Sequence, residues 1–141
     1  MKKSENSDLK AAYLQSIEDW KEFYDSRADD EFLDDDGYPT ESALQLLERW
    51  HWADAKGWFE FAKSIWWSPD WGWHETEGGE DRWLNQELPP DAHRYHISTG
   101  GWSGNEAVIR AMQSNSFMWA LNWVQSRRGG HYIFELKVIK E

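Results

Sequence analysis

Phe117-Met118-Trp119-Ala120-Leu121-Asn122-Trp123-Val124-Gln125-Ser126-Arg127-Arg128-Gly129-Gly130-His131-Tyr132-Ile133-Phe134-Glu135-Leu136-Lys137-Val138-Ile139 decides the fold class. Two alternating runs, 117–126 and 131–139, flank Arg127-Arg128-Gly129-Gly130, and a period of two on either side of a glycine turn reads as a β-hairpin. Alternation puts Phe117, Trp119, Leu121 and Trp123 on one face with Tyr132, Phe134, Leu136 and Val138. Asn122, Ser126, His131 and Glu135 take the other. With Arg127 facing Gly130, Trp123 lies opposite Phe134 and Asn122 opposite Glu135. A turn at Gly129-Gly130 shifts the partners by two and leaves the faces unchanged.

The same period appears upstream from His93, with Tyr95, Ile97 and Thr99 on one face and Arg94, His96 and Ser98 on the other. That strand runs into Thr99-Gly100-Gly101-Trp102-Ser103-Gly104-Asn105, and Ser103 or Asn105 can cap a helix carrying Ala107, Val108, Ala111 and Met112 inward. Ser114-Asn115-Ser116 stops it. Trp71 to Glu75 alternates like a short strand, Glu77 to Asp81 reads as a turn, and 82–92 has no clean period and reads as a loop.

Earlier residues are helical. Leu9, Tyr13, Ile17, Trp20 and Tyr24 step by three or four from a start at Ser7 or Asp8. Thr40 caps a second helix bearing Leu44, Leu47 and Trp50, and Asp54 caps a third bearing Trp58, Phe61, Ala62, Ile65 and Trp66. Helices first and an antiparallel sheet last make an α+β fold. The expectation is a single domain over 1–141: N-terminal helices on a sheet of three or four strands, with one helix inserted before the final hairpin.

Composition narrows the function classes. Cysteine is absent, which excludes disulfides and thiolate metal sites. No apolar run reaches transmembrane length, and the Met-Lys-Lys start leads into polar residues, so a cytoplasmic location is expected. The formal net charge is −11, and there are 12 tryptophans. The charge is unevenly placed: residues 1–93 hold 23 acids and 9 bases, whereas 94–141 hold 3 acids and 6 bases. The densest run, within an acidic exposed connector over 25–38, includes Asp29, Asp30, Glu31, Asp34, Asp35 and Asp36. Such a surface repels nucleic acid and attracts the basic surfaces that grip nucleic acid. It lacks the alternating ligands and closing glutamate of an EF-hand.

Three site readings follow. The acidic strip suits a protein with a basic surface, with no direct nucleic-acid or membrane binding. Thr99, Gly100, Gly101, Trp102, Ser103, Gly104 and Asn105, with Arg127 and Arg128, could hold a nucleotide or another small anion at a helix start. The loop is neither a P-loop nor a dinucleotide fingerprint. It also fails as a nucleophile elbow, because Asn105 stands where the last glycine is needed. Third, His96, Ser98, His131 and Glu135 share the polar sheet face and offer a base, a hydroxyl and an orienting carboxylate for a small hydrolase. The five histidines show no metal-ligand spacing, and no cofactor is indicated.

His96 to Glu106 and Ser126 to Glu135, with their TGGWSGNE and SRRGGHYIFE blocks, resemble a family of small acidic proteins from bacteriophages and prophages. The resemblance takes in Gly37-Tyr38-Pro39-Thr40 and the Trp-rich helix after it, so it covers residues 37–136. It carries over no catalytic residue. It implies an accessory protein that binds and blocks a host factor, of anti-defence or anti-CRISPR type.

Overall fold

The computed structural model describes residues 2–81 and 84–137. In chain order these form α1 (Lys2–Asp25), α2 (Glu41–Arg49), α3 (Ala55–Ser64), α4 (Pro69–Gly72), β1 (Trp73–Asp81), β2 (Gln86–Ser98), α5 (Ser103–Ser114), α6 (Ser116–Asn122), β3 (Trp123–Arg127) and β4 (His131–Lys137). The fold is α+β: helices pack on a four-stranded antiparallel sheet of order β1-β2-β4-β3.

The caps expected at Thr40 and Asp54 are present. The Thr40 side chain accepts from the Ala43 amide, and that of Asp54 from the Gly57 amide. The core between helices and sheet joins Leu46 and Leu47 of α2, Trp58 and Phe59 of α3, and Val108 and Met112 of α5 to Tyr95, Ile97 and Phe134 of the sheet. Phe59 lies flat on Tyr95, with centroids 4.1 Å apart. The last carbonyls of α2, which have no partner inside the helix, are taken up by side chains. Leu47 accepts from the Trp58 indole and the Asn115 amide, each at 3.1 Å, and Trp50 accepts from Asn115, also at 3.1 Å.

The hairpin expected over 117–139 is shorter than its alternation implied. Residues 116–122 are helical, so two helices rather than one precede the final hairpin. Asn115 starts α6 by accepting the Met118 amide, and Met118 and Asn122, four apart, are its buried residues. Phe-Met-Trp-Ala-Leu is apolar at almost every position, so it satisfies both periods and the cap decides. Trp123 does lie opposite Phe134. However, Arg127 faces His131 rather than Gly130, and a register slip between Trp123 and Gln125 absorbs the difference. Val138 falls outside the described residues.

Three further expectations are corrected. α1 starts at Lys2, before Ser7 and Asp8, and its Trp20, Phe23 and Tyr24 pack against the core. Ser103 is the first residue of α5 and Trp102 its cap position, without a side-chain cap. β1 runs to Asp81, through the residues read as a turn, and β2 begins at Gln86, inside the stretch read as a loop.

The long β1–β2 hairpin does not stay flat. Asp81 pairs with Gln86 near its tip, while His74, seven residues back, pairs with His96. In a straight strand Asp81 would be about 23 Å from that position. Yet Asp81 Oδ2 lies 3.0 Å from His96 Nε2. The hairpin therefore folds back as a flap over its own sheet. It bends at the register slip between Glu77 and Gly79, where Gly78 and Gly79 have φ of +26° and +91° and Pro89-Pro90 runs opposite. A Cβ on Gly78 would sit 2.8 Å from the Pro90 carbonyl oxygen, so the bend requires glycine.

Candidate functional site

The acidic connector is exposed, and its second half is a hydrogen-bonded turn. Asp34 accepts the Asp36 and Tyr38 amides on Oδ1, each at 2.9 Å, and its own amide donates to the Tyr38 carbonyl at 2.8 Å. Leu33 and Pro39 form an isolated antiparallel bridge, and Thr40 Oγ1 donates to the Glu31 carbonyl. An aspartate that bonds backbone N–H groups two and four residues on closes its own turn, which offsets the repulsion among its neighbours. Asp30 accepts the Ser42 hydroxyl. The carboxylates of Asp29, Glu31, Asp35 and Asp36 are exposed and have no partner among the described residues.

This turn carries Tyr38 onto the glycine loop. The Tyr38 ring stacks on Trp102 at 4.8 Å and 29°, and Trp67 lies against Trp102 at 5.3 Å and 32°. The Asn105 side chain holds Trp67 by its backbone, accepting its amide at 2.8 Å and donating to its carbonyl at 3.1 Å. Trp71, on α4, covers Gly100, where a Cβ would lie 2.9 Å from its ring. Trp67 and Trp71 are 53% and 61% exposed. Tyr38, Trp102 and Trp67 thus form one stack beside the turn's carboxylates, and Trp71 lies over the same glycine loop.

The loop's glycines serve this stack. Gly100 and Gly101 have φ of +65° and +75°, which L side chains adopt only under strain. A Cβ on Gly104 would collide with the edge of the Trp102 ring. Several donors expected to face a ligand are used internally: Thr99 N donates to the Gly130 carbonyl at 3.0 Å, Trp102 N to that of Thr99 at 3.1 Å, and Gly101 N to Thr99 Oγ1 at 3.3 Å. Loop and hairpin turn do meet, beside a groove of about 320 Å³ lined by Thr99, Glu106, Arg110, Gln113, Gly130 and Tyr132. Its cation is Arg110. Arg127 and Arg128 are exposed, and the Arg127 Nε donates to Gln125 instead. Asn105 is buried, and Ser103 Oγ reaches the Tyr38 hydroxyl at 3.5 Å.

The polar sheet face gathers the other candidates under the flap. Arg94 Nη1 donates to Asp81 at 3.0 Å and Arg94 Nε to Glu135 at 2.9 Å, while His96 bonds Asp81. Ser98 Oγ and His131 Nδ1, directly opposite in the ladder, are 2.6 Å apart, and the His96 and His131 rings stack at 6.0 Å. Ser98 and His131 thus meet as a dyad, while Glu135 is turned to Arg94 and His96 to Asp81, so among the described residues the four expected side chains do not converge as one triad. Asp81, the carboxylate that organises this cluster, was read as a turn residue in the sequence. Only the fold-back brings it here. Burial holds the His96 imidazole below its ordinary pKa despite the Asp81 charge, with Arg94 and His74 pushing the same way as burial. Burial, then the charges of His96, Arg127 and His74, lowers that of His131. Among the described residues no group of histidines and carboxylates could hold a metal ion, and no helix is long and apolar enough to cross a membrane.

Comparison of the chain with protein-family models, with curated proteins and with solved structures returned no match.

Proposed function

We propose that this chain is a binding protein whose acidic and aromatic face occupies the basic, nucleic-acid-binding surface of another protein. The observation that carries the reading is the stacking of Tyr38 on Trp102. Tyr38 belongs to the turn that displays Asp35 and Asp36, and Trp102 belongs to the loop that positions Trp67. One surface thus combines the two elements of a protein interface. Exposed tryptophan and tyrosine supply contact area at little entropic cost, and they dominate binding energy. Surrounding carboxylates speed encounter with a positive partner and reject a negative one. A blocking role against a host's nucleic-acid-binding defence protein is what a phage-like resemblance of residues 37–136 would imply.

The test uses bacterial proteins that bind heparin, a basic and nucleic-acid-binding fraction. The immobilised chain captures a discrete member of that fraction, and DNA competes with the capture. Binding falls steeply with salt, and it falls further when Asp29, Glu31, Asp35 and Asp36 are neutralised together. Asp34 is spared because it builds the turn. Capture that is indifferent to salt and to these substitutions would sink the reading.

A further inference from the structure

Two serine–histidine contacts among the described residues have opposite polarity. Ser16 Oγ lies 2.8 Å from His51 Nε2, but it donates its own proton to the Tyr13 carbonyl at 2.6 Å. His51 Nδ1 accepts the Ala53 amide at 3.0 Å, so this ring carries its proton on Nε2 and donates it to Ser16. That serine has no base. Ser98 Oγ lies 2.6 Å from His131 Nδ1, and among the described residues no other group is hydrogen-bonded to this hydroxyl. Nδ1 is therefore the acceptor for the Ser98 proton, which is the relation of a general base to its nucleophile.

The sheet places a cation in line with this pair. His131 of β4 lies opposite Ser98 of β2 in one ladder and opposite Arg127 of β3 in the other, so the three side chains form one row on one face. Ser98 and His131 are half-buried and Arg127 is exposed, so the row opens to solvent. The His131 ring lies within 28° of parallel to that of His96, which Asp81 holds at 3.0 Å. Burial, then the charges of His96, Arg127 and His74, hold the His131 pKa below 6.5, so the ring is a neutral acceptor at pH 7.

From this row we infer that the chain hydrolyses a small carboxylate-bearing ester, with Ser98 as nucleophile, His131 as general base and Arg127 holding the substrate's carboxylate. Ser98 Oγ attacks the ester carbonyl carbon while His131 Nδ1 takes the hydroxyl proton. The ester C–O bond then breaks, and His131 passes that proton to the departing alkoxide, leaving an acyl-serine and an alcohol. Water attacks the acyl carbon and gives a proton to the same ring. The Ser98 oxygen leaves, regains the proton, and the acid is released. Strands lie roughly 4.8 Å apart, so the backbones carrying nucleophile and cation are about 10 Å apart. That span suits a monoester of a short dicarboxylic acid. The row uses neither the acidic turn nor the aromatic stack, so it stands or falls apart from the docking reading.

An alkyl fluorophosphonate, which phosphonylates an activated serine and expels fluoride, tests the nucleophile in the whole chain, with tandem mass spectrometry to locate the label. Ser98 should be labelled, and Ser16 should not. Labelling should be lost in urea and should slow about a hundredfold in His131→Gln. Release of 4-nitrophenol from its adipate monoester should need Ser98 and should run about tenfold faster than from the neutral methyl adipate. Arg127→Gln, an exposed change that keeps the test valid if the other variants perturb folding, should remove that preference by raising KM. Turnover should hold from pH 8 to 6.5 and decline only below, as His131, faced by His74, His96 and Arg127, gains its proton. Label that survives urea or spreads to Ser16, turnover equal to that of Ser98→Ala, or equal rates on the two esters overturns the proposal.

Discussion

The two faces of the sheet are covered in opposite ways. The face of Tyr95, Ile97, Phe134 and Leu136 meets helices and is filled with rings: Phe59 stacked on Tyr95, Trp119 edge-on to Phe134, Trp73 edge-on to Tyr95. The face of Arg94, His96, Ser98 and Glu135 is covered by the chain's own flap and held by charge. The first face gains by removing apolar area from water. The second gains only while every buried charge keeps its partner. One sheet thus has a face held by apolar burial and a face held by paired charge.

Removing a large ring should do the most damage on the first face. Trp58→Ala empties a fully buried site and breaks the indole bond to the Leu47 carbonyl. It should lower unfolding free energy by about 3–5 kcal/mol, measured by urea titration at neutral pH. Asp81→Ala should cost a similar amount, about 3–5 kcal/mol, because Arg94 and His96 lose a shared carboxylate. The two variants separate in acid. Asp81 raises the His96 pKa, so its removal depresses that pKa further and steepens the loss below pH 6.5. Trp58→Ala should track the wild type.

Wild-type stability should itself fall on acidification, and the signs agree. His96 and His131 have folded pKa values below the ordinary 6.5, so the unfolded chain binds protons first. Their contribution is whole above 6.5 and is lost as pH falls through the folded values. Glu75 adds a later step, because its depressed pKa contributes stability above 4.5 that is lost as pH falls through the folded value. Thermal midpoints measured from pH 8 down to pH 4 test this. A midpoint that rises on acidification would contradict the buried histidines.

The contrast between the faces also explains what could be read in advance. The helical face was legible because period carries burial: Tyr95 and Ile97 inward, Phe134 and Leu136 beside them, and caps at Thr40 and Asp54. The placing of His96, Ser98, His131 and Glu135 on one polar face was legible too, since alternation fixes faces. What alternation does not encode is a strand bent back on itself. Gly78-Gly79 and Pro89-Pro90 are both turn signals, and they look the same whether they end a strand or fold it. So Asp81 was invisible as the centre of the polar cluster, and so was the burial of Arg94 and His96 beneath the flap. The surface proposed for docking was half legible. The carboxylates and glycine loop stood out in the sequence, whereas the Tyr38–Trp102 contact spans 64 positions and leaves no local signal.

Asn115 gives a smaller effect at a junction that serves the ring-filled face. It starts α6 and bonds the carbonyls of Leu47 and Trp50 at the end of α2. Asn115→Ala should cost about 1–2 kcal/mol, and Asn115→Asp, which keeps the cap and loses the amide donors, should recover only part of that.

The smallest effect on stability belongs to the proposed docking face, and there the smallness is informative. The Trp71 ring is 61% exposed and touches the fold chiefly over Gly100. Trp71→Ala should leave the unfolding free energy within about 0.5 kcal/mol, as for surface changes away from caps and cores. A ring kept out of water only by a partner should still matter to that partner. The same substitution should weaken capture of the heparin-binding protein about tenfold or more, chiefly by faster dissociation. Neutralising Asp29, Glu31, Asp35 and Asp36 should instead slow association and flatten its salt dependence. A loss of binding by Trp71→Ala that merely follows a loss of stability would make these tryptophans part of the fold. Unchanged stability with faster dissociation would make them the anchor of the interface.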